Sequence, residues 1–258
     1  DGEGLEGARG QSRRRRHGVR RGGRGGRRRR AGPPPPSTRP PALGGGPDDA
    51  ALTERGGEVA PGSVMLIACG ALAREVLALR RANGWDALGL TCLPAKLHNA
   101  PGSIPDTVRR AVLEARGQGY ERVFVLYGDC GTGGGLDRVS AALGVERIPG
   151  PHCYSFFEGN EAFAARAELG EIRAFYLTDF LARQFETLVW RGMGLDRHPE
   201  LAGQMFAGYE TLVHLAQTED PALDAKAREA AARLGLAHER RFTGYGELGT
   251  FLARAAGA

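Results

Sequence analysis

The sequence predicts an α/β fold: an open, mostly parallel sheet with helices on both faces, a Rossmann-like three-layer arrangement, occupying residues 63–258 as a single domain behind a disordered tail over 1–62. Three observations predict it. Short, continuously apolar runs such as VMLIAC (64–69) and RVFVLYG (122–128) have the length and composition of strands buried on both faces. Stretches with helical period lie between them. The alternation of the two needs crossover connections, and crossovers make a sheet parallel.

The elements follow in order. VMLIAC is a strand, ALAREVLALRRAN (71–83) a helix and ALGLTC (87–92) a strand. PDTVRRAVLEARGQG (105–119) opens on Pro105 and closes on glycine, the expected asymmetry of a helix. RVFVLYG is the third strand, 136–143 a helix and VERI (145–148) a short strand. Helices are expected over 155–168, 178–192 and 199–207. ETLVHLAQ (210–217) and LAHERRF (236–242) then return as strands, each followed by a helix.

Charge separates the tail from the rest. Fourteen arginines stand against seven acids before Val64, and the remainder holds 21 basic and 23 acidic residues, so the alkaline balance belongs to the tail alone. The folded part has no bulk electrostatic reason to bind nucleic acid. The Arg/Gly/Pro-dominated tail has too little apolar surface to offset its ordering entropy. The chain starts at Asp1 and has no methionine before Met65, which opens the first strand run. A start placed too early in a GC-rich region would read this way. An arginine-rich nucleic-acid arm is the alternative. Four cysteines are too few for a disulfide scaffold, and no apolar run is long enough for a membrane span or a secretory leader. A cytoplasmic protein with reduced thiols and no membrane partner is expected.

In open parallel sheets, ligands bind beyond the carboxyl ends of the strands. Every cysteine falls there: Cys69 after the first strand, Cys92 after the second with His98 close behind, Cys130 after the third, and His152-Cys153 after the fourth. Thiolate and imidazole ligands suit zinc, iron or an iron–sulfur cluster, so Cys69, Cys130, Cys153 and His98 are the expected metal ligands. His152 competes for the last position and is otherwise a candidate acid–base. Adjacent His152 and Cys153 would point to opposite faces of an extended segment, which favours His98. The loop GDCGTGGG can turn backbone N–H groups of Gly131, Thr132, Gly133 and Gly134 toward an anionic small molecule, with Asp129 as a base or a helix cap. It lacks the Lys-Ser/Thr of a phosphate-binding P-loop. Cys92 reads as a packing residue, and His214 and His238 as packing or surface residues.

IACGAL (67–72), LPAKLHNAPGSIP (93–105), YGDCGTGG (127–134), GPHCYSFF (150–157), FYLTDF (175–180), LDRHPE (195–200) and the LAQ run at 215–217 together resemble the family catalogued as domain of unknown function 1638. The resemblance spans residues 64–252. It implies no established reaction. It does imply companionship with corrinoid-dependent methyl-transfer systems, hence a methyltransferase or corrinoid protein as partner. Cys69, His98, Cys130, His152 and Cys153 match motif positions, and Cys92 does not. The expected function is a metal-dependent enzyme or cofactor-handling protein with a Cys/His site at the strand ends. The alternative is a non-catalytic module capturing an anion or corrinoid at the glycine loop.

Overall fold

The computed structural model describes residues 52–54, 62–168 and 173–257. The chain divides into residues 1–43 and 44–258, and all described residues belong to the second unit. Its strands are β1 (Leu52–Glu54), β2 (Val64–Cys69), β3 (Leu88–Leu93), β4 (Arg122–Leu126), β5 (Glu146–Arg147), β6 (Ala174–Thr178), β7 (Thr211–Ala216) and β8 (Ala237–Phe242). Its helices are α1 (Ala73–Asn83), α2 (Ile104–Gly117), α3 (Gly135–Leu143), α4 (Cys153–Glu158), α5 (Asn160–Glu168), α6 (Asp179–Gln184), α7 (Ala202–Met205), α8 (Pro221–Leu234) and α9 (Gly246–Ala256). None of the described helices is long and apolar enough to cross a membrane.

The α/β class stands, but the sheet is not one. Five strands run in the order β1-β3-β2-β4-β5 and three in the order β6-β7-β8. Every pairing is parallel except β1 against β3. β2 is buried along its whole length, as its unbroken apolar run requires. Two apolar cores result. One gathers β2, β3 and β4 with Val108 and Val112 of α2. The other gathers Leu177 and Leu212 of the second sheet with Phe185, Ala227 and Ala231. α9 returns the chain to the first core through Leu248, Phe251 and Leu252, with the Phe251 ring edge-on to Phe124 at 5.9 Å. The turn that follows β2, Gly70–Leu72, packs against α6, which follows β6, so the carboxyl end of β2 lies beside the second sheet.

Several boundaries differ from expectation for local reasons. Leu52–Glu54, assigned to the disordered tail, pairs with Leu90–Cys92 as an edge strand, and most of the rest of 1–62 lies outside the described residues. The helix expected over 155–168 breaks at Gly159, whose φ of 95° no helix accommodates. β6 replaces what had no strand assignment. The helix expected from 178 is α6 followed by a π-helical stretch, Phe185–Trp190. Pro199 opens a 3-10 turn, Pro199–Leu201, ahead of the short α7. VERI shrinks to two paired residues.

Candidate functional site at the carboxyl edge of the first sheet

Cys69 closes β2 in extended conformation, and its sulfur accepts a hydrogen bond from the Ala71 N–H at 3.4 Å. Gly70 follows because the end of β3 passes close. A Cβ there would stand 2.9 Å from the Leu93 carbonyl oxygen. Beyond β3 the chain winds into a 3-10 turn, Ala95–Asn99, carrying His98. Its Nδ1 lies 2.9 Å from the Ala95 carbonyl oxygen and 3.9 Å from Cys69 Sγ. The carbonyl can only accept, so Nδ1 bears the proton toward it and Nε2 is left to other partners.

β4 ends in the turn that carries Cys130. Its φ is +48°, left-handed backbone at a non-glycine residue. The turn is fastened to the following segment by two backbone bonds, Asp129 N–H to Gly150 O at 2.9 Å and Cys130 N–H to Pro151 O at 2.8 Å. Gly128 lets that segment approach, since a Cβ there would meet the His152 backbone at 2.9 Å. His152 is thereby placed at the rim and Cys153 in the first turn of α4, partly buried.

The electrostatics show these groups sharing one environment. Burial pushes the Cys69 thiol up to about 11, against the opposing pull of the Ala71 amide and the Tyr127 hydroxyl. Burial raises Cys153 well above the usual thiol range, and the neighbouring Cys130 and Cys69 add to the rise. Burial disfavours a charged His98, but a hydrogen bond with Cys130 and its charge outweigh that and lift the imidazole above its ordinary value. His152 is lowered by desolvation and by the charge of His98. Tyr127 stacks beside His98 at 6.5 Å, and burial raises its phenol. Cys69 and His98 thus stand 3.9 Å apart, and Cys130, Cys153 and His152 are close enough to act on the charges of that pair. Among the described residues, however, no group of three or more His, Cys, Asp or Glu side chains stands where it could hold a metal ion. Cys92 is buried in the core of the first sheet.

The glycine loop is arranged around its own acid. Asp129 Oδ1 accepts from the Gly134 N–H at 2.8 Å and the Thr132 hydroxyl at 2.7 Å, while Oδ2 accepts from the Gly133 N–H at 3.1 Å. These bonds, that of Thr132 foremost, hold the carboxyl below its usual range. Positive φ at Gly131, Gly133 and Gly134 turns the loop as expected. The amides of Gly133 and Gly134 offered to an outside anion donate instead to Asp129, whose carboxyl fastens the loop without capping α3.

A polar network in the second sheet was not legible beforehand. His214 is fully buried on β7, with Nε2 3.1 Å from Asp179 Oδ1 and Nδ1 3.3 Å from Asp224 Oδ1. Asp179 follows β6 directly. Its Oδ2 accepts from the Thr218 N–H at 3.0 Å and hydroxyl at 2.6 Å, and its own N–H donates to Gln217 Oε1 at 2.8 Å. Burial opposes its ionisation, yet the His214 and Thr218 bonds leave it below the usual range. Reading FYLT as a strand would have placed Asp179 at a carboxyl end and exposed the signal.

No curated protein and no solved structure matches the chain. The match to a family model begins at Cys92, so it covers His98, Cys130 and Cys153 and leaves Cys69 outside. Residues 92–252 match the family described as "Protein of unknown function (DUF1638)", and with well over half its length inside that match the chain belongs to this family.

Proposed function

We propose that the carboxyl edge of the first sheet is a thiol–imidazole reactive centre, in which Cys130 is the nucleophile and His98 its acid–base partner, acting on a small molecule. The observation that carries this reading is the left-handed backbone of Cys130 at the strand-to-helix turn. Such a conformation is costly outside glycine, and strain of this kind clusters where a side chain must be aimed at a reacting group. His98 supplies the rest. Its Nδ1 is pinned by the Ala95 carbonyl, as an orienting group pins the base of a catalytic pair. The Cys130 thiol passes its proton to Nε2, the sulfur attacks an electrophilic carbon, and the imidazolium returns the proton to the departing group. Cys69 and Cys153, their thiols held neutral by burial, line the centre without competing for that proton. His152 at the rim is placed to exchange protons with solvent.

A second reading is favoured by the convergence of three cysteines and one histidine from separate loops. In it Cys69, Cys130, Cys153 and His98 hold zinc or iron, soft and borderline donors suited to either. The 3.9 Å between Cys69 Sγ and His98 Nδ1 is close to the roughly 3.5 Å separating two ligands of one tetrahedral zinc. Against it, Nδ1 already faces Ala95. Such an ion would supply Lewis-acid chemistry. The corrinoid or methyltransferase partner implied by the resemblance belongs with this reading. Elemental analysis of anaerobically purified protein separates the two. Stoichiometric metal lost in Cys130→Ser and Cys153→Ser but kept in Cys92→Ser supports the second. Metal-free protein in which electrophilic probes label Cys130 supports the first.

A further inference from the structure

Between α6, with its π-helical continuation, and α8 lies an open cleft of about 170 Å³. Its floor is apolar, since Ala182, Phe185 and Ala230 line it and all three are buried. The rest of its lining holds three cations, Arg183, Lys226 and Arg233, and two acids, Glu186 and Glu229, so three positive charges less two negative leave +1. The cations are not equally engaged. Arg233 donates to Glu186 Oε2 at 2.7 Å and lies over the Trp190 ring at 3.9 Å, which fixes it as one wall. Arg191 reaches the same glutamate at 3.7 Å. Lys226 is exposed and pairs with no acid among the described residues. Arg183 has Nη2 3.9 Å from Asp179 Oδ2, longer than a hydrogen bond, and its Nη1 has no partner. Asp179 cannot come closer. Its two oxygens are held by His214 and Thr218 and its amide by Gln217. Arg183 is thus steadied by a fixed, buried carboxylate while most of its five donors stay unused.

We propose that this cleft binds a small molecule through an oxyanion, a carboxylate or phosphate group gripped between Arg183 of α6 and Lys226 of α8. The surplus positive charge sets the sign of the ligand, and the two under-used cations come from different helices, so one oxyanion can bridge them. The planar guanidinium gives direction to the contact, and the lysine adds charge without fixed geometry. Volume bounds the ligand. A cleft of about 170 Å³ is below the roughly 300–1,000 Å³ of sites that enclose drug-sized molecules, so its occupant is a small metabolite or one head group rather than a nucleotide. The carbon atoms of such a ligand rest on Phe185 and the two alanines. The buried His214–Asp179 pair thereby gains a task, which is to hold Arg183 at the cleft from behind. The site takes up the anion-binding role that the Gly131–Gly134 loop gives up to Asp129, and it depends on neither reading of the cysteines.

The test is nuclear magnetic resonance titration of the isotopically labelled full chain at low salt, with sodium acetate and separately with sodium sulfate. Saturable amide shifts concentrated at residues 182–186 and 226–233 are expected for at least one probe. Acetate marks a carboxylate ligand and sulfate a phosphate-like one. Lys226→Gln, an exposed substitution that leaves the core intact, should weaken binding about tenfold, the worth of one charge-assisted hydrogen bond. Arg183→Gln should weaken it at least as much, with the melting temperature checking that the fold is kept; if that variant unfolds, Lys226→Gln decides alone. Arg254→Gln, on α9 and outside the cleft, should change nothing, which separates a site from general attraction to basic surface. If neither anion gives saturable shifts there, or the affinity survives Lys226→Gln, or it falls as far in Arg254→Gln, the cleft is a solvated groove and the proposal is overturned.

Discussion

Two carboxyl groups flanking the thiol centre respond to pH in opposite directions, and each sign follows from its surroundings. Asp129 is held as a carboxylate by Thr132 and two glycine amides, so its contribution is present above the unfolded carboxylate range and disappears as acid protonates it. Asp129→Ala should cost about 1 kcal/mol near neutrality, the usual net worth of an intramolecular hydrogen bond, with the difference from the parent vanishing in acid. Chemical denaturation at several pH values measures this. Glu75 behaves the other way, since its folded value of about 7 lies above that of an unfolded glutamate. The folded chain keeps a proton that the unfolded chain releases, so stability falls as pH rises from the acid range toward neutrality. Glu75→Gln removes that dependence and should gain on the order of 3 kcal/mol relative to the parent at alkaline pH, with no such gain in acid. Identical pH slopes for parent and variant would show that Glu75 ionises normally.

At the scale of elements, the site is assembled by the way strand ends are fastened to one another. The β4 turn and the 150–153 segment are joined by two backbone bonds and by the close approach that Gly128 permits. Gly128→Ala would drive a methyl group into the His152 backbone, which has no flexible end to yield. A loss of about 1–3 kcal/mol is expected, as for other overpacked positions, and Cys130 and Cys153 should separate, which slows cross-linking of the pair by a short bis-electrophile. The ends of β2, β3 and β4 were readable in the sequence because β2 is an unbroken apolar run, β3 and β4 are largely apolar, and glycine or proline follows each closely, so the turns that carry Cys69, His98 and Cys130 could be located. The second sheet was harder. β6 carries the half-buried Phe175 and Tyr176 before Thr178-Asp179, whose cap-like pair reads as the start of a helix and hides the strand before it. His214 sits in an apolar run that also suits packing, and only tertiary structure brings Asp179 and Asp224 to its two nitrogens. The bonding of Asp129 within its own loop, to Thr132, Gly133 and Gly134, is neither of the two roles the sequence suggested.

At the scale of the whole molecule, two mostly parallel sheets set carboxyl ends side by side, with the Cys130 turn on the first and the Asp179 network on the second. α9 ends the chain in the core of the first sheet rather than the second. The edge of the first sheet is covered by β1, a three-residue strand. A chain beginning at Gly62 loses that strand and should melt only a few degrees lower than the full chain, because so short an edge contributes little. A much larger drop would show that the preceding segment packs on the domain. The central claim is that Cys130 is singled out by its backbone and by His98 from among four cysteines. It is tested most directly by the rate at which iodoacetamide alkylates each cysteine as pH is raised, followed by mass spectrometry of the full chain. Cys130 should react first near neutrality, Cys69 should join only toward its value of about 11, and Cys153 should lag throughout. His98→Gln should slow Cys130 by at least about tenfold while leaving Cys69 and Cys153 unchanged. Equal rates for the cysteines at neutral pH, or a Cys130 rate indifferent to His98, would contradict the account.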